Sequence, residues 1–372
     1  MTDIGVIEQT AHEYIKKFVL TSEPLNPRWN CENYIFGKKP KWNYIDNCMV
    51  RALLMFDKPE YTRYAIDFMD SYIDSSGVIA TMRASDYNLD NVCGGMNLIQ
   101  LYRISGIRHY KLAYEKIYNE QLANQPRLKC GNFWHKAIYP QQLWLDGAYM
   151  ALPFLALYGK INGNDSIVED AVSQMLNIRR FMLDKKSGLY YHGYNESREM
   201  FWSDKKTGLS PEIWLRSDGW LCAGLADLYE ITADDRIGEM LRELIHALCS
   251  CLTSENMLLQ LPLRPDMKGN YPETSGTLLF AYGAMKGFRL GVSEKSSAEC
   301  GFSALSAVTD KYIVHKNGIP ILKNICLMGG LGGEQRRDGS AEYYLSERIV
   351  ENEAKGIAPY LMAVYESMKS KP

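Results

Sequence analysis

Amphipathic blocks rich in charge take turns along this chain with blocks of Gly, Cys, Ala and aromatic residues that carry few charges. Both kinds repeat their apolar residues three and four apart. YTRYAIDFMDSYI, RHYKLAYEKIYNEQL, EDAVSQMLNIRRFML, IGEMLRELIHALCSCL and the stretch from His12 to Val19 are of the first kind. A helix with one apolar stripe lies on a surface, whereas a helix without a charged face is enclosed on most sides. The alternation therefore predicts an outer and an inner layer of helices. About twelve are expected, over roughly 3–20, 43–56, 60–73, 89–104, 107–123, 141–161, 164–184, 213–232, 233–252, 273–291, 294–310 and 340–370. Few stretches alternate as strands do, and no Ser/Gly- or Pro-rich linker is long enough to divide domains, so one continuous domain over 1–372 is expected.

The charge-poor blocks begin with polar and aromatic clusters: WNYID at 42–46, LDNVCGG at 89–95, WLDG at 144–147, RSDGW at 216–220, ETSG at 273–276 and RDGSAEYY at 337–344. They recur at roughly 45 to 70 residues, the length of a helical hairpin with its loops. Six hairpins closed into a ring place all six inner-helix N-termini on one rim. An all-α (α/α)6 barrel with a polar pocket at that rim is the expectation; an open α-solenoid would need a more uniform repeat. Helix N-termini converging on one mouth suit an anionic ligand.

Composition narrows the partners. The 372 residues are 46% hydrophobic and 23% charged with a formal net charge of -2, a soluble globular profile without the basic footprint of a nucleic-acid or anionic-membrane partner. The first residues carry acids where a secretory signal carries positive charge, and no apolar run reaches transmembrane length, so a cytoplasmic location is expected. Nine cysteines without a CxxC read as small buried thiols rather than disulfides or zinc ligands. The six histidines include no HExxH and no close pair, so neither a catalytic metal nor a cofactor is expected. GxSxG is absent, and GGLGGEQRRDGS at 329–340 lacks the GK[ST] ending of a phosphate loop and reads as a pocket wall.

YPQQLWLDGAYMALPF, 139–154, sets a carboxylate in a stretch otherwise suited to a core. Asp146 stands early in its expected helix, with Pro140 as a first-turn residue and Pro153 bending the far part. It is either a capping or structural Asp, or a carboxyl desolvated by Trp144 and Tyr149 until it holds a proton near neutral pH, as a general acid must. Gly147 beside it admits a ligand or a neighbouring backbone. Asp90 in YNLDNVCGG is either an N-cap or a second carboxylate across the pocket, the usual equipment of glycosidic-bond enzymes. His135 in FWHK and His192 in YYHGY sit among aromatics, placed to hydrogen-bond a sugar or to serve the structure. Arg216 offers a planar fork to a carboxylate, or a structural ion pair; Trp220 one turn later offers a stacking ring. The supply of 25 Tyr and 7 Trp either lines a sugar site or packs between helices.

Taken together, LDNVCGGMNLIQLYRISG, NQPRLKCGNFWHKAIYPQQLWLDGAYMALPFLALYGK, YHGYNES, WLRSDGWLCAGLADLYE, YPETSGTLLFAYGAMKGFRLG and GGLGGEQRRDGSAEYYLSERIVENEAKGIAPYLMAVYE resemble the unsaturated rhamnogalacturonyl hydrolases, glycoside hydrolase family 105, in order from about residue 40 onward. The resemblance implies an (α/α)6 barrel that removes the 4,5-unsaturated uronic acid left at the non-reducing end of a short oligosaccharide by a polysaccharide lyase. It maps the catalytic aspartate onto Asp146 and the second onto Asp90. It maps the pocket His, Arg and Trp onto His192, Arg216 and Trp220, with His135 nearby and with Tyr44, Trp134 and Trp144 as further substrate-binding candidates. RSDGW departs from the family pattern at Ser217 and Asp218, which bears on fine specificity rather than on the reaction. The alternatives are an unsaturated glucuronyl hydrolase, an (α/α)6 sugar epimerase relying on histidines as acid and base, and a non-catalytic helical interaction protein.

Overall fold

The computed structural model describes residues 2–369. Its helices are α1 Ile4–Tyr14, α2 Cys31–Phe36, α3 Tyr44–Met55, α4 Pro59–Asp70, α5 Gly94–Ser105, α6 Arg108–Lys116, α7 Leu145–Ile161, α8 Asp165–Met182, α9 Leu215–Thr232, α10 Asp235–Ser250, α11 Thr274–Arg289, α12 Lys295–Tyr312, α13 Ala341–Ser346 and α14 Ala354–Lys369. The helices α3, α5, α7, α9, α11 and α14 each touch the next, and α14 returns to α3, so they close a ring. Outside it, α4, α6, α8, α10 and α12 each pack on the inner helix that precedes them, while α1 packs on α14. The first and last helices thus form the sixth hairpin of an (α/α)6 barrel. No helix among the described residues is long and apolar enough to cross a membrane.

Composition sets the two layers. The outer helix α10 buries a stripe that includes Ile237, Met240, Leu241, Leu244 and Leu248. The inner helix α11 is buried continuously from Thr274 to Gly287. Its small residues admit a close neighbour: a Cβ on Gly283 would stand 2.4 Å from Cys222 Sγ on α9. Polar residues fix where the helices start, as Asn43 accepts from Asp46 N at 3.0 Å for α3 and Glu273 from Gly276 N at 2.7 Å for α11. Further along the barrel axis, Asp227 of α9 joins three helices. Its carboxylate lies 2.6 Å from Arg51 Nη2 on α3 and 2.6 Å from Lys286 Nζ on α11, and accepts from the Tyr282 hydroxyl at 2.5 Å. Burial pushes this carboxyl up, but the charges of Arg51 and Lys286 outweigh it and hold it at about 2.

Three expected helices differ from the sequence reading. The block 340–370 is two helices: α13 stops at Ser346, strand β6 (Ile349–Val350) pairs with β5 (Ile325–Cys326), and α14 starts at Ala354. RDGSAEYY therefore heads the short α13, not the sixth inner helix; residue 370 lies outside the described residues. The block 89–104 opens with a 3-10 turn, Leu89–Asn91, before α5. The block 141–161 opens with a strand, β1 (Gln142–Trp144), paired with β2 (Gly193–Asn195), so Pro140 precedes a strand rather than a helical first turn. Helix α7 continues through Pro153 to Ile161, because its burial on most sides holds the turn that the missing N–H would loosen. The remaining hairpin, β3 (Ile313–Lys316) with β4 (Ile319–Leu322), follows α12.

Candidate active site

A cavity of about 820 Å³ opens at the rim where α3 and α7 begin. Asn43 and Tyr44 from the head of α3, Asp90 from the turn before α5, His135, Lys136 and Tyr139 from the loop before β1, and Trp144 and Asp146 from the head of α7 line it. Gly333, Glu334, Gln335 and Arg337, from the loop between β5 and α13, close one side. The glycine-rich stretch is a pocket wall, as its sequence implied.

Asp146 occupies the first turn of α7, where the helix dipole favours a carboxylate. The pairing of Trp144 with Gly193 brings His192 alongside, and His192 O accepts from Leu145 N at 3.2 Å. The buried imidazole donates from Nε2 to Asp146 Oδ2 at 3.0 Å and meets the Tyr344 hydroxyl through Nδ1 at 2.6 Å. Trp214 packs on the same ring at 4.9 Å. Asp146 keeps 18% of its side chain exposed, while His192 has none. Burial pushes the Asp146 carboxyl up as expected, but the charge and hydrogen bond of His192, with His135 and Arg216 behind, outweigh it and hold the group below the usual carboxylate range. The raised value expected from the aromatic surroundings is thus reversed in the resting site, because the sequence does not display the His192 partner.

Asp90 is not the cap of its turn; Asn88 is, accepting from Asp90 N at 3.1 Å. The freed carboxylate faces Lys136 Nζ at 2.5 Å and His135 Nε2 at 3.8 Å. His135 is buried against Gly147, where a Cβ would stand 2.6 Å from Nδ1, so the glycine admits a histidine ring rather than a ligand or backbone. Burial pushes this imidazole down to about 4, against the pull of Asp90. His135 and Tyr139 stack on Trp144 at 4.5 and 4.8 Å, which makes Trp144 a braced wall of the cavity.

The other expected residues divide. Tyr44 lines the cavity, with Lys355 Nζ 5.9 Å from its ring centre and its hydroxyl pushed up by burial. Arg216 is buried behind the lining, donating from Nη1 to Ser275 Oγ at 3.2 Å and to the Cys326 carbonyl, with its guanidinium 4.8 Å from the Trp214 ring. Trp220 packs on Tyr149 at 4.7 Å in the core, and Trp134 is half-buried outside the lining. Ser217 bonds Trp214 O and Asp218 accepts from Tyr190 N at 2.9 Å, so neither departure from the family pattern reaches the cavity. Lys136, Arg337, Trp214 and Tyr344 were not singled out, although each lies inside a quoted motif: FWHK, RRDGS, WLRSDGW and RDGSAEYY.

The profile of Glycosyl Hydrolase Family 88 matches residues 17–371. A family 105 glycoside hydrolase of C. acetobutylicum ATCC 824 superposes with a TM-score of 0.88 and 31% identity over 99% of both chains. Protein Atu3128 of Agrobacterium fabrum (strain C58 / ATCC 33970) is 35% identical over 230 residues, 59% of this chain and 98% of that protein. The unsaturated rhamnogalacturonyl hydrolase YesR of Bacillus subtilis (strain 168) is 25% identical over 153 residues, 39% of this chain and 42% of YesR. With its (α/α)6 barrel and its acid-lined rim cavity, the chain belongs to Glycosyl Hydrolase Family 88 and is, with its family 105 relatives, a glycoside hydrolase of the unsaturated uronyl hydrolase group.

Proposed function

We propose that this hydrolase acts in the cytoplasm, as one catalytic domain, on short lyase products and that its substrate is unsaturated galacturonyl-rhamnose. The likeness to YesR supports the choice of substrate. Facing thiols such as Cys48 and Cys93, with Sγ atoms 3.9 Å apart, suit a reducing compartment. The observation that carries the reading is the placement of Asp146, anchored through one oxygen by buried His192 at 3.0 Å while its side chain lines the cavity.

The 4,5-unsaturated uronide is an enol ether conjugated with a carboxylate. Protonated Asp146 delivers its proton to C4, leaving an oxocarbenium-like centre at C5; water adds at C5, and Asp146, now a carboxylate, takes the proton that water gives up. The resulting hemiketal opens to a C5 ketone and a C1 hemiacetal, which releases the aglycone as an alcohol. One water is consumed and Asp146 ends protonated. In the resting site Asp146 is held low, but an arriving uronate brings negative charge and expels water, and both changes favour the protonated acid. Lys136 meets the uronate carboxylate, and Asp90 orients water or sugar hydroxyls. Arg216 acts through its charge behind Asp146 rather than by direct grip.

The test is a substrate panel. Loss of the ultraviolet absorbance of the C4=C5 bond is followed for unsaturated galacturonyl-rhamnose and for unsaturated glucuronyl disaccharides. The proposal expects the higher kcat/KM on the rhamnose-linked galacturonide. A preference for the glucuronyl series reassigns the substrate, and turnover of neither refutes the reaction.

A further inference from the structure

His192 touches two groups with opposite demands. A carboxylate only accepts hydrogen bonds, so Nε2 carries a hydrogen toward Asp146 Oδ2. At the other nitrogen the Tyr344 hydroxyl lies 2.6 Å from Nδ1 and has no other hydrogen-bond partner among the described residues. Burial, with Tyr343 and Asp146 adding to it, pushes the Tyr344 hydroxyl well above its ordinary range, so it keeps its proton. Both His192 and Tyr344 are fully buried, and Tyr344 is fixed by stacking on Trp214 at 5.5 Å.

A proton shared by Asp146 and His192 has two places to sit. On Asp146 it leaves a neutral imidazole whose Nδ1 lone pair accepts the Tyr344 O–H, so both nitrogens of His192 and the tyrosine hydroxyl are satisfied. On His192 it fills Nδ1, turns the tyrosine oxygen into an acceptor and strands the phenolic hydrogen in a buried site, at the cost of an unmade hydrogen bond. His135 and Arg216 also face Asp146, and Arg337 and Cys326 face Tyr344, but none of them contacts Nδ1.

We propose that Tyr344 is a positioning residue which, by donating to Nδ1 of His192 once substrate is bound, keeps the shared proton of the pair on Asp146, where the substrate can receive it. The inference rests on the reading of Asp146 as the acid. Without the tyrosine hydroxyl the imidazolium competes for the proton. The fraction of enzyme with protonated Asp146 then falls wherever the pair holds a proton, while the rate at high pH, where the pair is mostly empty, is unchanged.

The experiment combines two readouts on the full chain. In the wild-type protein with 15N-labelled histidine and a saturated uronate bound in the cavity, and with His192→Gln to assign the signal, Nδ1 is expected to carry no hydrogen and Nε2 to carry one. In Tyr344→Phe, Nδ1 is expected to gain a hydrogen, kcat to fall about tenfold on its acidic plateau with KM within about twofold, and the basic limb of kcat to move to higher pH and merge with that of wild type. A wild-type Nδ1 that carries a hydrogen with the uronate bound, or a Tyr344→Phe profile lowered equally at every pH, overturns the proposal. If Tyr344→Phe does not fold, the wild-type spectrum alone decides where the proton sits. A wild-type protein without activity on unsaturated uronides refutes the reaction instead, and the spectrum still judges the role of Tyr344.

Discussion

Asp90 and Lys136 face each other across 2.5 Å on the cavity wall, each with less than a fifth of its side chain exposed. Truncating one side of such a pair strands the other charge in a poorly solvated place. Lys136→Met leaves a negative wall for an anionic substrate to approach, and KM is expected to rise about tenfold, which corresponds to about 1.4 kcal/mol of lost binding. Steady-state kinetics checks this; an unchanged KM removes Lys136 from the recognition of the uronate.

Gly147 stands next to the proposed acid, and a Cβ there would meet His135 Nδ1 at 2.6 Å. The imidazole is pinned by its stack on Trp144 and by the main-chain bonds of its residue to Gln142 and Leu89, so the overlap has no easy relief. Gly147→Ala is expected to cost about 1–3 kcal/mol of stability and to lower kcat more than KM rises. Urea midpoints beside kinetics test it; full activity at wild-type stability would show that the wall yields freely.

The two pH profiles are expected to separate. In the free enzyme His192 holds Asp146 low, so kcat/KM, which reports free enzyme, loses its acid form early as pH rises. In the complex the uronate charge opposes ionisation, so the basic limb of kcat lies at higher pH. Coincident limbs would mean that substrate does not reset the acid.

The buried Asp227 network fixes an acid dependence of stability. The folded value of about 2 lies below the ordinary carboxylate value, so the contribution of Asp227 is complete above about pH 4 and is lost as pH falls toward 2. Asp227→Asn strands Arg51, leaves Lys286 with Glu230 as its one carboxylate partner, and is expected to cost about 3–5 kcal/mol near neutral pH. That deficit narrows as pH drops from about 4 to about 2. Urea titrations at several pH values measure it, and a deficit that is constant with pH contradicts the assignment.

The layers of the barrel were legible because inner and outer helices bury different fractions of their surface, and α10 and α11 show that difference in composition alone. The interruption at 347–353 was not, because SERIVENEAKG contains no strong breaker before Gly356, and what stops α13 is the pairing of Ile349 and Val350 with Cys326 and Ile325. The carboxylates Asp90 and Asp146 were legible as polar residues in apolar surroundings. Trp220 follows Arg216 by one turn, about 6 Å deeper along an inner helix, and that rise carries its ring into the core. Of the adjacent Tyr343 and Tyr344, only the fold shows which one reaches His192, and the His192–Asp146 contact, also made only by the fold, accounts for the lowered Asp146 that its neighbours in sequence did not predict.

The most direct test of Asp146 as the acid and base is the decay of C4=C5 absorbance of unsaturated galacturonyl-rhamnose with wild-type protein beside Asp146→Asn, with circular dichroism to confirm that both are folded. The account predicts decay with wild type and a rate lower by at least about a thousandfold in the variant. A folded Asp146→Asn protein that clears the absorbance at the wild-type rate contradicts it.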